Sequence, residues 1–146
     1  MSGAAKLAEN WIHLGLGATA EPLTPFTDLS WYEDYGAKTA SDGAEGRLVA
    51  MHSFTESWDV WEMHPVGAEV VICTAGSIEL IQETPDGEKR IPLSEGEYAI
   101  NAPGVWHTAD VAQSDCASTQ QRRAGEPLKD TAYEQVGQTL QELFDI

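Results

Sequence analysis

Residues 61–76 read WEMHPVGAEVVICTAG, and their composition is a puzzle in burial. Valine, isoleucine, cysteine and tryptophan mark β-structure inside a core, yet Glu62, His64 and Glu69 interrupt the apolar run. In an extended strand successive side chains alternate faces, so Glu62 and His64 point one way and Trp61 and Met63 the other. Pro65 through Ala68 turn the chain, and Glu69 opens a second strand with Val71 and Cys73 on its face. Two neighbouring strands thereby aim Glu62, His64 and Glu69 at one spot. Carboxylates and imidazole are costly to bury alone, and a divalent cation is the partner that satisfies all of them.

Between residues 46 and 111, Gly, Pro, Asp and Asn separate short runs rich in β-branched and aromatic residues: GRLVAMHSF, SWDVWEMH, EVVICTA, SIELIQE, KRIPL, EYAIN and VWHTADV. This punctuation predicts antiparallel strands folded as a sandwich or barrel. TPDGEK predicts a tight hairpin in which Asp86 and Gly87 take positive φ angles. In GEYAINAPGVWHTADV, Ala102, Pro103 and Gly104 turn the chain, and His107 follows on the face of Ala109 and Val111. Pairing of that strand with the first region makes His107 a fourth ligand.

The pattern Glu62-x-His64-x(4)-Glu69-x(6)-Gly76 resembles the first motif of the cupins. Gly96, the turn ending at Gly104 and His107 three residues later are similar to the second. The resemblance spans residues 46–111 with the ligand spacing kept. It implies an all-β jelly roll, the double-stranded β-helix of that superfamily, around one divalent metal ion: iron, manganese, zinc or nickel. The implied ligands are Glu62, His64, Glu69 and His107. One departure bears on chemistry: the family's first histidine is Glu62 here, so three histidines and one glutamate become two of each. His64, His107 and one carboxylate already make the ligand set of a non-haem Fe(II) facial triad. Glu62 then either completes the site as an oxygen donor, favouring harder ions such as Mn(II) or Fe(II), or stays off the metal as a general base.

Cys73 faces the site in this register, where a small thiol serves either as pocket lining or as core filler. Trp106, beside His107, is expected at the pocket mouth, while Trp58 and Trp61 fill or cover the barrel. His13 and His52 read as surface or satisfied polar groups, and Arg122 and Arg123 as a solvated turn.

The 146 residues suit one domain, with residues 1–45 packing on the barrel, 46–120 forming its core and 121–146 a tail and helix. LSWYEDYG reads as irregular. DTAYEQVGQTLQELFDI places Tyr133, Val136, Leu140, Leu143 and Phe144 on one helical face. Homodimerisation is expected through open sheet edges or that helix.

With 24 acidic and 8 basic residues the formal charge is -16, which repels nucleic acid and anionic lipid and welcomes cations. No run approaches the roughly 20 apolar residues of a membrane span, MSGAAKLAENW lacks the apolar core of a secretory signal, and Cys73 and Cys116 form no CxxC motif. A cytoplasmic location is expected. Three functions follow: a metal-dependent enzyme acting on a small oxygen-rich molecule by dioxygenase, isomerase or lyase chemistry; a non-catalytic small-molecule or metal-binding sensing module; and a metal-free structural domain.

Overall fold

The computed structural model describes residues 3–111, 116–122 and 128–130. In chain order these form β1 (Ile12–Gly15), β2 (Thr19–Pro22), helix α1 (Ser30–Thr39), β3 (Arg47–Phe54), β4 (Val60–Glu62), β5 (Glu69–Ala75) and β6 (Ser77–Thr84). There follow β7 (Gly87–Ser94), β8 (Tyr98–Asn101), β9 (His107–Asp110), β10 (Cys116–Arg122) and β11 (Leu128–Asp130). One sheet has the order β2-β1-β3-β10-β5-β8 and the other β11-β4-β9-β6-β7. Every pairing is antiparallel. Among the described residues no strand pairs into both sheets, so the expected barrel is realised as two facing sheets. The sheets are all-β and antiparallel, in the two-layer arrangement of a jelly roll.

Alternation along the strands explains why the sheets face each other. On β5 Glu69, Val71 and Cys73 are buried while Val70, Ile72 and Thr74 are half-buried. Val71 and Cys73 meet Ile78, Leu80, Leu93, Ala99 and Ala109, so both sheets contribute to one apolar cluster. Each large side chain fully buried there, such as Leu80, contributes about 1.5–3 kcal/mol. Cys73 is a core filler, its thiol directed at the carbonyls of Ala75 and Gly76.

The N-terminal region departs from the irregular segment read from LSWYEDYG. It is helical within α1, and β1 and β2 extend the edge of the first sheet. The Asp28 carboxylate accepts hydrogen bonds from the Ser30 backbone N–H and hydroxyl, securing the helix start. Trp31, Tyr32 and Tyr35 share a face and bury against Trp11, Leu23, Leu48 and Ala50. Glu33 and Asp34, on the other side, are exposed. Clustered acids hid a helix whose apolar face is short.

Arg122 departs from the solvated turn read for it. Residues 116–122 form β10 between β3 and β5, with Arg122 opposite Leu48 at a strand end and not in a turn. A ladder is built from backbone groups, so serine, threonine and glutamine residues join it as apolar ones do. Arg123 and residues 131–146 of the expected helix lie outside the described residues, while Asp130, where that helix was read to begin, ends strand β11.

In the hairpin between β6 and β7, Pro85 and Asp86 are the turn residues and Thr84 pairs with Gly87. Only Gly87 takes positive φ, at 114°, so Asp86 does not share that role. Ala102 to Val105 form another turn, with Pro103 followed by Gly104 at φ 79° and Val105 N–H donating to the Ala102 carbonyl. Gly104 N–H donates to the His64 carbonyl at 2.9 Å, tying the two motif segments together. A Cβ at Gly104 meets nothing within 4 Å, so substitution costs backbone strain alone. Gly104→Ala is expected to lower stability by about 1–2 kcal/mol in urea unfolding, with an unchanged m-value.

Among the described residues no helix is long and apolar enough to cross a membrane.

Candidate metal centre

Strand register sets two polar rows facing each other across the sandwich. In one sheet Glu62 pairs with His107, which pairs with Gln82; in the other, Glu69 pairs with Asn101. His64 lies two residues past the end of β4, where the alternation that buries Glu62 continues. Ahead of Glu69, the Arg47 guanidinium donates to the Ala68 carbonyl at 2.9 Å, and Gly67 leaves it room, since a Cβ there lies 2.6 Å from Arg47 Nη1. These devices bring together the four residues read from the sequence. Glu69 and His107 are 0% exposed, His64 3% and Glu62 7%.

His64 Nε2 lies 3.2 Å from Glu69 Oε2, and His107 Nε2 lies 3.1 Å from Glu69 Oε1 and 3.9 Å from Glu62 Oε2. One ligand atom from each of the four falls within 4.8 Å of all the others. Bonds of about 2.1 Å at octahedral angles put adjacent ligand atoms about 3.0 Å apart and opposite ones about 4.2 Å apart. The 4.8 Å limit of the cluster exceeds the opposite-ligand spacing by about 0.6 Å, so side chains would draw in by that much at most if the widest pair stood opposite.

The orientation of His107 discriminates further. Its Nδ1 lies 3.1 Å from the Val105 carbonyl, which only accepts, so Nδ1 carries the hydrogen. The Nε2 lone pair of the neutral ring then points at Glu69, an acceptor, without hydrogen-bond geometry. Acceptors converging in a buried space call for a cation or a proton, and a divalent ion fits the donor set.

Glu69 is positioned by residues that the sequence reading passed over. Asn101 Nδ2 donates to Glu69 Oε1 at 2.9 Å, and Gln82 Nε2 crosses the sandwich to donate to Asn101 Oδ1 at 2.8 Å. Gln82 also donates to the Ile100 carbonyl at 3.0 Å. The signal was present: Asn101 shares the inward face of Ala99, and Gln82 that of Leu80, so each is a polar residue at a core position.

Without metal the cluster holds charge. Burial is the largest influence on Glu69 and disfavours its charged form, but the contacts with His107 and His64 overcome it and hold the carboxyl far below its usual 4.5. Burial likewise opposes the charged form of His107, and the contact with Glu69, aided by the charge of Glu62, raises it above 6.5. The depressed Glu69 value contributes stability that is complete above about 4.5 and is lost as pH falls below it. The raised His107 value contributes stability that is complete below 6.5 and is lost as pH rises through the folded value. Chelator-treated protein should therefore melt highest between about pH 4.5 and 6.5. A metal ion held by His107 would have to displace that proton, so its stabilising effect should grow from pH 5.5 to 7.5. Melting curves with and without chelator check this, and coincident profiles would contradict it.

A cleft of about 270 Å³, lined in part by Phe54, Trp58 and Glu62, reaches the cluster at Glu62. Neither Cys73 nor Trp106, read as pocket lining, is among its walls: Cys73 is core and Trp106 is half-buried beside His107. His13, read as satisfied, is a buried polar group held by the Tyr35 hydroxyl and the Asp42 carboxylate. His52, read the same way, lines the cleft.

No protein-family model matches the sequence, and no curated protein matches it. Among solved structures, a cupin-2 domain protein from Shewanella frigidimarina is 21% identical, over 53% of this chain and 70% of that one, with a TM-score of 0.45. A hydroquinone 1,2-dioxygenase from Sphingomonas, with 4-hydroxybenzoate bound, is 17% identical over 51% of this chain and 57% of its own, TM-score 0.43. A hydroxypropylphosphonic acid epoxidase from S. wedmorenis is 16% identical over 53% of this chain and 42% of its own, TM-score 0.42. Glu62, Glu69 and His107 lie in this chain's own strands, with His64 just beyond one, at the register their spacing requires.

Proposed function

We propose that the protein is a metal-dependent enzyme acting on a small molecule, with Glu62, His64, Glu69 and His107 holding one divalent ion. The observation that carries this reading is the orientation of His107, whose Val105 hydrogen bond aims its second nitrogen at a carboxylate. Two imidazoles with two carboxylates favour iron or manganese over thiophilic ions. Such an ion, when bound, polarises a substrate oxygen or lowers the pKa of a bound water.

The chain's own residues divide the remaining work. Asn101 and Gln82 fix Glu69, and the Val105 carbonyl fixes His107, so both keep one geometry through a reaction. Glu62 sits where the cluster meets the cleft, and its carboxylate is farther from His107 than that of Glu69. Off the ion, it is the group placed to take a proton from a molecule in the cleft. Phe54 and Trp58 form apolar wall there and displace water from the reacting end.

Metal-loaded protein should turn over a small substrate with activity lost in His64→Ala. Saturable binding without turnover would favour the sensing reading instead, for that ligand.

A further inference from the structure

The sequence HSFTESWDVWE, residues 52–62, interleaves aromatic rings with acids as it leaves β3 and enters β4. The fold gathers both kinds around the cleft that ends at Glu62. His52 and Phe54 have ring centroids 5.8 Å apart, and Phe54 and Trp58 5.3 Å apart, making a continuous aromatic wall. Glu56, Asp59 and Glu62 supply carboxylates to the same cleft, and no lysine or arginine is among its described lining residues. Trp58 Nε1 is buried, without a hydrogen-bond partner among the described residues, and is not exposed to the cleft. The Ser57 hydroxyl, by contrast, is already engaged by the Val111 N–H.

Aromatic faces and carboxylates attract the same class of molecule. A ring quadrupole draws a cation to its face, and carboxylates add direct Coulomb attraction while disfavouring an anion. About 270 Å³ lies just below the roughly 300–1,000 Å³ of pockets for drug-sized ligands, so the occupant is small. We infer that the cleft binds a small organic cation, an amine or ammonium compound, with its charge between the aromatic wall and Glu56 and Asp59. Its other end is directed at Glu62. This names the substrate class of the proposed enzyme and rests on that reading only for the reaction; the binding step stands on the cleft alone.

Three probes of similar size and different charge test it: benzyltrimethylammonium, benzyl alcohol and benzoate. The quaternary ammonium group cannot ligate a metal, so its binding reads the cleft and not the metal centre. Quenching of tryptophan fluorescence, in chelator-treated and metal-loaded protein alike, should give benzyltrimethylammonium a Kd about tenfold or more below that of benzyl alcohol. Benzoate should bind more weakly still. Glu56→Gln with Asp59→Asn, both at exposed positions, should cut the cation preference at least about fivefold and leave metal stoichiometry unchanged. The double variant removes two charges from a formal net of -16, so general attraction of cations to the molecule stays nearly constant.

Equal or tighter binding of benzoate or benzyl alcohol, absence of saturable cation binding, or a preference that survives the double variant would each overturn the inference. Failure of metal loading with the cation preference intact would remove the metal centre and leave the cleft's specificity standing.

Discussion

Glu69→Gln is expected to weaken Mn(II) or Fe(II) binding by more than about 100-fold in titration calorimetry. The amide is nearly isosteric, so it fills the same space and can still hydrogen-bond Asn101. What it removes is the charge that both histidines approach, at 3.1 and 3.2 Å. Removing an outer residue that merely orients a ligand typically costs 10- to 100-fold, and removing a ligand's charge should exceed that. A linked effect follows in stability. Metal at about 100 times its Kd should stabilise the parent by about 2.7 kcal/mol, or roughly 5–11 °C for a chain of this size. The same concentration should leave the Glu69→Gln melting temperature nearly unmoved. A variant that binds metal like the parent would remove Glu69 from the centre.

The second large effect concerns Asn101, which touches no other member of the four-residue cluster in the hydrogen bonds described and acts through Glu69. Asn101→Leu should lower metal affinity about 10- to 100-fold, because Glu69 loses the donor that fixes its orientation and Gln82 loses its acceptor. Asn101→Asp should be worse. The new carboxylate still accepts from Gln82 but faces Glu69, two like charges at a fully buried position, and should destabilise metal-free protein by several kcal/mol. A merely packing role for Asn101 predicts the opposite ranking in metal affinity, with the isosteric aspartate closer to the parent than leucine.

The fold was legible where strands alternate cleanly. Glu69, Val71 and Cys73 declared an inward face, and the runs around them became β3 to β9 close to their expected places. The four clustered residues were legible for the same reason: Glu69 and His107 are polar side chains whose neighbours on that face are apolar, and Glu62 and His64 are two polar side chains together on the inward face that Val60 begins. Three things were harder to read, each for a physical cause. Helix α1 buries only Trp31, Tyr32 and Tyr35, too short a periodic signal among acids. Strand β10 is held by backbone pairing on both sides, which composition does not report. Asn101 stands just before an Ala-Pro-Gly turn, and its polarity reads as turn composition until the register with Glu69 is known.

Glu62 is where sequence and structure converge most closely on function. It replaces a histidine of the resembling motif, borders the cleft and stands 3.9 Å from His107 Nε2. The substitution adds negative charge to a cleft that Glu56 and Asp59 already make acidic. On the proposed reading, metal choice and substrate charge are linked through one residue.

Plasma mass spectrometry on untagged protein purified without chelator, beside a His64→Ala/His107→Ala double variant, tests the metal centre most directly. About one equivalent of iron, manganese, zinc or nickel in the parent and none in the variant is the expected result. Both proteins empty, with added metal raising neither affinity nor melting temperature, would contradict the account.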